Sequence, residues 1–250
     1  MAKTIAVTGK GGTGKTVIAA LLIKYLKEHA SGPILALDAD PDANLATVLG
    51  ITVGKTIGDL REQTLTEVRN LPAGMSKSAY IEAGLHEIVV ESEKVDLLAM
   101  GRGEGPGCYC YVNNLLRAFS DKLESSYQWV VMDNEAGMEH LSRRTASRIE
   151  SLIVVLSESP LSIECARRID RLLTELKNPV RKKYFLVNRA DEDKVARILE
   201  RASVLDMEYL GHVPQDPAVE QCVFDGESLL ALEASPAVRT ITEIAEKMGV

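Results

Sequence analysis

The sequence predicts a doubly wound α/β fold, with a mostly parallel sheet flanked by helices on both faces. Two observations carry that expectation. Seven short β-rich apolar runs recur along the 250 residues, each followed by a helical pattern, and such alternation builds a parallel sheet with crossover helices. The runs are apolar continuously and not at every second position, as in strands buried on both faces.

The elements follow in order. KTIAVTG (3–9) is the first strand, and it leads through a glycine-rich loop into VIAALLIKYLKEH (17–29). That helix is apolar around most of its circumference and is expected against the sheet. PILALDAD (33–40) is the second strand. Residues 50–94 are expected to be the least regular part, with a helix at TIGDLREQTLTEV and a mobile stretch at LPAGMSKS (71–78). VDLLAMG (95–101), WVVMD (129–133), SLIVVLS (151–157), KYFLVNR (183–189) and EYLGHV (208–213) complete the strands. No repeat, low-complexity tract or Pro/Ser/Gly linker divides the chain, so one domain spanning 1–250 is expected.

Composition narrows the function classes. A net charge of −7 argues against a general nucleic-acid or anionic-membrane surface, which needs clustered Lys and Arg. No apolar run reaches the roughly 18 residues of a membrane span. The first residues read as a strand instead of a targeting segment. Four cysteines in a chain this long, with Cys165 and Cys222 isolated, do not make a disulfide framework. A reducing cytoplasm is the expected compartment.

The loop GKGGTGKT (9–16) stands between a strand and a helix, the order a P-loop NTPase requires. Backbone N–H groups can surround phosphates only where side chains are absent, which accounts for Gly9, Gly11, Gly12 and Gly14. Thr13 and Val17 belong to the same nucleotide-binding stretch. Lys15 supplies a point charge to the β- and γ-phosphates of ATP, and the Thr16 hydroxyl reaches Mg²⁺. The second strand ends in DADPDAN, where Asp38 and Asp40, two apart in extended backbone, project to the same side at the carboxyl edge. They suit a water or the magnesium shell, although the segment is also rich in turn formers. WVVMDNEAG ends a buried strand in Asp133, the Walker B arrangement for magnesium, with Glu135, Gly137, Glu139 and His140 following on a second switch.

With its extra Lys10, GKGGTGKT resembles the deviant Walker A motif of the MinD/ParA/nitrogenase iron protein class. The resemblance implies a homodimer in which Lys10 reaches the partner's nucleotide, Asp40 orients the attacking water and Asn44 senses the γ-phosphate. VNRAD (187–191) superficially fits the pattern with which GTPases read guanine through an aspartate. The class instead carries an adenine-contacting asparagine there. HVPQD (212–216) resembles its second base-side segment. ATP is therefore favoured, with Asn188, Arg189, Pro214, Gln215 and Asp216 around the base.

The segment GPGCYC (105–110) offers two thiols, Cys108 and Cys110, that face one way in extended backbone. Zinc or another thiophilic ion takes about four ligands, and a two-fold axis between subunits would supply the missing pair. Taken alone, the spacing is equally compatible with a packed turn. GKGGTGKT, DADPDANL, GPGCYC and DNEAGMEHLSRR together resemble the CooC-type carbon monoxide dehydrogenase maturation ATPases over essentially the whole chain. The resemblance implies a dimeric ATPase holding Ni²⁺ or Zn²⁺ between subunits on Cys108 and Cys110. Its client would be carbon monoxide dehydrogenase or the related acetyl-CoA synthase. Residues 127–150 contain no cysteine, which argues against a four-iron cluster of the iron-protein type. The competing readings are a ParA/MinD-like positioning ATPase, a nickel-handling GTPase and a nucleotide-binding module without turnover.

Overall fold

A computed structural model describes residues 2–67, 77–101, 126–135, 149–175 and 180–250. Seven strands, β1 (Lys3–Gly9), β2 (Ile34–Ala39), β3 (Val95–Ala99), β4 (Trp129–Asn134), β5 (Ile149–Leu156), β6 (Val180–Asn188) and β7 (Glu208–Val213), form one sheet in the order β3-β2-β4-β1-β5-β6-β7. Every pairing is parallel.

The continuous apolar runs resolve into two faces. One is covered by α1 (Lys15–His29), α2 (Asn44–Leu49), α7 (Pro217–Phe224) and α8 (Pro236–Met248), whose apolar side chains meet Ile5, Val7, Val131, Ile153 and Val155 of the strands. The other takes α3 (Ile57–Glu67), α4 (Lys77–Ile88), α5 (Pro160–Glu175) and α6 (Glu192–Ala202) over Ala6, Leu37, Met132, Leu152 and Val154. Alternate residues of each strand therefore enter opposite layers, which is why the runs are apolar at successive positions in the central strands. Helix α1 is buried from Ile18 to Leu26. Each large aliphatic side chain so removed from water contributes about 1.5–3 kcal/mol.

Residues 50–94 are more regular than their sequence predicts. Helices α3 and α4 lie in one layer through Ile57, Leu60, Leu85 and Ile88, and a Cβ on Gly84 would collide with Leu60. The glycine that permits this close approach also weakens the helical signal of KSAYIEAGLHEI. The expected mobile stretch falls largely outside the described residues. Among the described residues, no helix is long and apolar enough to cross a membrane.

Connectivity fixes where a ligand can enter. From β1 the chain builds β2, β3 and β4 on one side, then β5, β6 and β7 on the other. The reversal of direction opens a crevice at the carboxyl end of β1, where open α/β sheets bind ligands.

Candidate functional site

The loop leaving β1 is a tight turn held by its own backbone. The Thr13 amide and hydroxyl both donate to the Lys10 carbonyl, at 3.3 and 2.8 Å. Gly9, at φ +146°, lies so close to β5 that a Cβ would stand 2.6 Å from the Val155 carbonyl oxygen. Gly14, at φ +88°, caps α1 without any side-chain hydrogen bond, leaving the first amides and the positive end of that helix facing the loop.

The end of β6 clamps this turn. Asn188, buried, donates from Nδ2 to the Thr13 carbonyl at 2.8 Å, and Arg189 donates from Nη2 to the Gly12 carbonyl at 2.8 Å. Arg189 adopts φ +53°, a left-handed conformation that an L side chain takes only under constraint. Its amide bonds to the Val213 carbonyl, and so ties the loop to β7 as well.

Above the turn is a cavity of about 450 Å³ that gathers Gly11, Gly12, Gly14, Lys15, Thr16, Asp40, Asp42, Asn44, Glu135 and Arg189. Exposed loop glycines, one buried lysine, a hydroxyl and a helix N-terminus together can receive a polyanion. Asp40 is not on a strand face shared with Asp38, because β2 ends at Ala39. The backbone folds over instead: Asp38 accepts from the Asp40 amide at 3.2 Å and the Leu45 amide at 2.8 Å, while Asp40 accepts from the Asp42 amide at 3.0 Å. Asp38 is thus the buried anchor of the turn into α2, and Asp40 faces the cavity.

Asp133 and Asp38 are register partners on adjacent strands. Asp133 is 1% exposed, and neither carboxylate oxygen has a hydrogen-bond donor in bonding geometry. Burial pushes its carboxyl up to about 6, although Thr16 and Lys15 pull the other way. Burial and the neighbouring Asp133 charge push Asp38 up to about 7. An orphaned carboxylate beside a threonine hydroxyl is an all-oxygen donor set, and it fits a hard divalent cation such as Mg²⁺.

A second cavity, of about 300 Å³, adjoins the first through Gly14 and Arg189, which line both. Val17 of the glycine-loop stretch lines it, and so do Asn188, Pro214 and Asp216 of the base-side set. Gln215 does not: it is exposed and donates to Glu220 at 3.0 Å. The Asp216 oxygens are already engaged, accepting from the Ala218 amide of α7 and the Ala237 amide of α8. Burial raises the Asp216 carboxyl, but Ser235 and these amides outweigh it and hold it below the usual range. Asp191, the guanine-reading candidate, pairs with Lys194 at 2.6 Å and does not line the cavity.

Lys10 is partly exposed, outside both cavities, with Nζ 3.5 Å from the Gly11 carbonyl. Cys108, Cys110 and Gly137 lie outside the described residues, as do Glu139 and His140. Among the described residues, no group of three or more His, Cys, Asp or Glu is arranged to hold a metal ion. Sequence reasoning missed Asp42 as a cavity residue, although it stands two positions from Asp40, and it assigned Glu135, which also lines the cavity, only to the second switch. It also missed the apolar wall from α7, whose Val219, Val223 and Phe224 carry no motif.

Comparisons with known proteins agree with this geometry. Residues 4–229 match the family described as the CobQ/CobB/MinD/ParA nucleotide binding domain. An uncharacterised ATP-binding protein of Methanocaldococcus jannaschii is 42% identical over 98% of this chain and 97% of its own length. The carbon monoxide dehydrogenase accessory protein CooC of Rhodospirillum rubrum is 31% identical over 94% of this chain and 91% of its own. The crystal structure of a ParA family ATPase from Chlorobium tepidum superposes with a TM-score of 0.73 over 98% of both chains, at 21% identity, a likeness of fold.

Proposed function

Because the chain belongs to the CobQ/CobB/MinD/ParA family of nucleotide-binding domains, we propose that it is an ATP-hydrolysing, nucleotide-dependent homodimer that assists nickel insertion into a Ni-Fe-S enzyme. The client is carbon monoxide dehydrogenase or the related acetyl-CoA synthase, and the compartment is the cytoplasm. The observation that carries this reading is the likeness to the Rhodospirillum rubrum accessory protein along nearly the whole chain.

The chain's residues divide the work as follows. The ATP phosphates lie in the cavity over Gly9–Thr16, with Lys15 opposite the β- and γ-phosphates. Thr16 and Asp133 would hold a magnesium ion, which there neutralises charge on the phosphate oxygens. Asp40 orients the water that attacks the γ-phosphorus; the bond to the β-bridging oxygen breaks, and ADP and phosphate leave. Asp38 holds the turn that carries Asp40, while Asn44 and Gly137 report the γ-phosphate. Lys10, free of both cavities within one subunit, reaches the partner's nucleotide when two copies close, and neutralises charge on the transferred phosphoryl group. Asn188 and Arg189 brace the loop beside the base, and Pro214 and Asp216 bound it; Gln215 is withdrawn from that role.

Closing the dimer brings two pairs of Cys108 and Cys110 to one axis, where they hold Ni²⁺ or Zn²⁺. Nucleotide biases metal binding only through its different affinity for closed and open states. The pairing of Asp191 with Lys194, away from the cavity, favours adenine over guanine.

The family also contains MinD and ParA, so a positioning ATPase is the second reading. It predicts nucleotide-dependent binding to DNA or anionic vesicles, which a net charge of −7 does not favour. The deciding experiment adds the chain and ATP to nickel-free carbon monoxide dehydrogenase or acetyl-CoA synthase at limiting nickel. Faster activation that requires ATP supports the maturation reading. No effect on either enzyme, together with ATP-dependent binding to DNA or vesicles, would replace it with the positioning reading.

A further inference from the structure

The cavity next to the glycine loop is a slot. Val17, Ile18 and Leu21 of α1 form one wall, and Val219, Val223 and Phe224 of α7 form the other. Val219 and Val223, four apart, share one face of α7, and Phe224, the last residue of the helix, also lines the cavity. Val219 is buried, whereas Val223 is 39% and Phe224 85% exposed.

A single exposed apolar side chain is unremarkable. Here, however, two of the four large apolar residues exposed among the described residues stand side by side on the rim of one cavity, and that cavity opens onto the glycine loop through Gly14 and Arg189. Helix α7 ends immediately after Phe224, with Asp225 as its C-cap and Gly226 at φ +70° turning the chain away. The end is pinned by the hydrogen bond from Gln221 to Asp225 at 2.8 Å and by the bond from the Glu227 amide to the Cys222 carbonyl at 2.9 Å. An aromatic ring is thus presented to water at the mouth of an apolar slot by a fixed helix end, so no loop has to order before the ring is used.

We propose that Phe224 is the stacking platform for the base of the bound nucleotide, and that it favours a purine by the ring area it covers. The proposal rests on the nucleotide reading above and names the residue that sets base affinity. Covering the ring with a base removes apolar area from water on both partners and allows an offset stacked contact. The polar groups around the slot do not supply this: both Asp216 oxygens are held by amides, and Asn188 Nδ2 is held by Thr13.

The test is calorimetric titration of the full chain with Mg-ATP, Mg-CTP and Mg-tripolyphosphate, in the wild type, Phe224→Ala and Phe224→Tyr. The ring is exposed, so its removal is expected to leave the melting temperature nearly unchanged. The expected result is an ATP affinity about tenfold weaker in Phe224→Ala, with tripolyphosphate within about twofold of wild type. Phe224→Tyr is expected to keep the wild-type ATP affinity, and the preference for ATP over CTP is expected to shrink in Phe224→Ala. An unchanged ATP affinity in Phe224→Ala, or an equal loss of ATP and tripolyphosphate, would overturn the proposal. A wild-type chain that binds neither ligand would overturn the nucleotide reading itself.

Discussion

Substituting Gly14 by alanine tests the joint between the glycine loop and β6. Gly14 holds φ +88°, and a Cβ there would collide with Nδ2 of Asn188. The left-handed backbone alone costs an L side chain about 1–2 kcal/mol. Relieving the collision moves the Asn188 amide off the Thr13 carbonyl, and losing that buried bond costs about 1–2 kcal/mol more, because the carbonyl is left without its donor. Gly14→Ala is therefore expected to lose about 3 kcal/mol, and Asn188→Ala about 2 kcal/mol through the same lost bond. The two share that bond, so the double variant is expected to lose about 3 kcal/mol instead of the additive 5, a coupling of about 2 kcal/mol. Urea unfolding of the nucleotide-free chain, read at the midpoint with an unchanged slope, measures all three. Losses that add to within about 0.5 kcal/mol would refute the claim that Gly14 is glycine because Asn188 occupies its Cβ space.

Further outcomes follow from the same geometry. Asp38 and Asp133 keep their protons up to about 7 and about 6 when folded, whereas the unfolded chain releases them near 3.8. Between those values the folded state binds more protons, so these groups make stability fall as pH rises from about 4 to 7. Asp38→Asn is expected to flatten that fall by about 3 kcal/mol between pH 5 and pH 8, as measured by denaturation at those two values; an unaltered slope would contradict the raised carboxyl. Asp216→Ala leaves the first turns of α7 and α8 without their shared acceptor and is expected to cost about 2–4 kcal/mol in thermal or urea unfolding, mostly below saturating nucleotide. Lys10→Ala, at a position outside both cavities of its own subunit, is expected to abolish ATP turnover that rises with protein concentration while ATP still binds. Full concentration-dependent turnover in that variant would remove the role of Lys10 across the dimer.

The architecture was legible because buried parallel strands and their crossover helices leave long-period signals: all seven strands stand where the apolar runs predict, with ends shifted by a few residues. The glycine loop was legible for a sharper reason. Only glycine tolerates the φ of Gly9 and Gly14 together with backbone or side-chain atoms at their Cβ positions. Helix α4 was not legible, since Gly84 trades helix propensity for a close contact with Leu60 that exists only after folding. The carboxylates were legible as a group but not in their individual positions. Two aspartates two apart suggested a shared strand face, and nothing local announces that β2 stops at Ala39 and that Asp38 turns to hold Leu45. The wall contributed by Val219, Val223 and Phe224 had no signal, because ordinary apolar helix positions gain meaning only from what the sheet topology brings beside them.

The most direct test of the central claim is the metal content of the anaerobically purified dimer after loading with nickel or zinc, in the wild type and in Cys110→Ala. The expected result is about half an equivalent per chain, lost in the variant, as one ion held by two Cys-Tyr-Cys segments requires. Metal binding that does not depend on Cys110, or stoichiometric iron and sulfide, would contradict it.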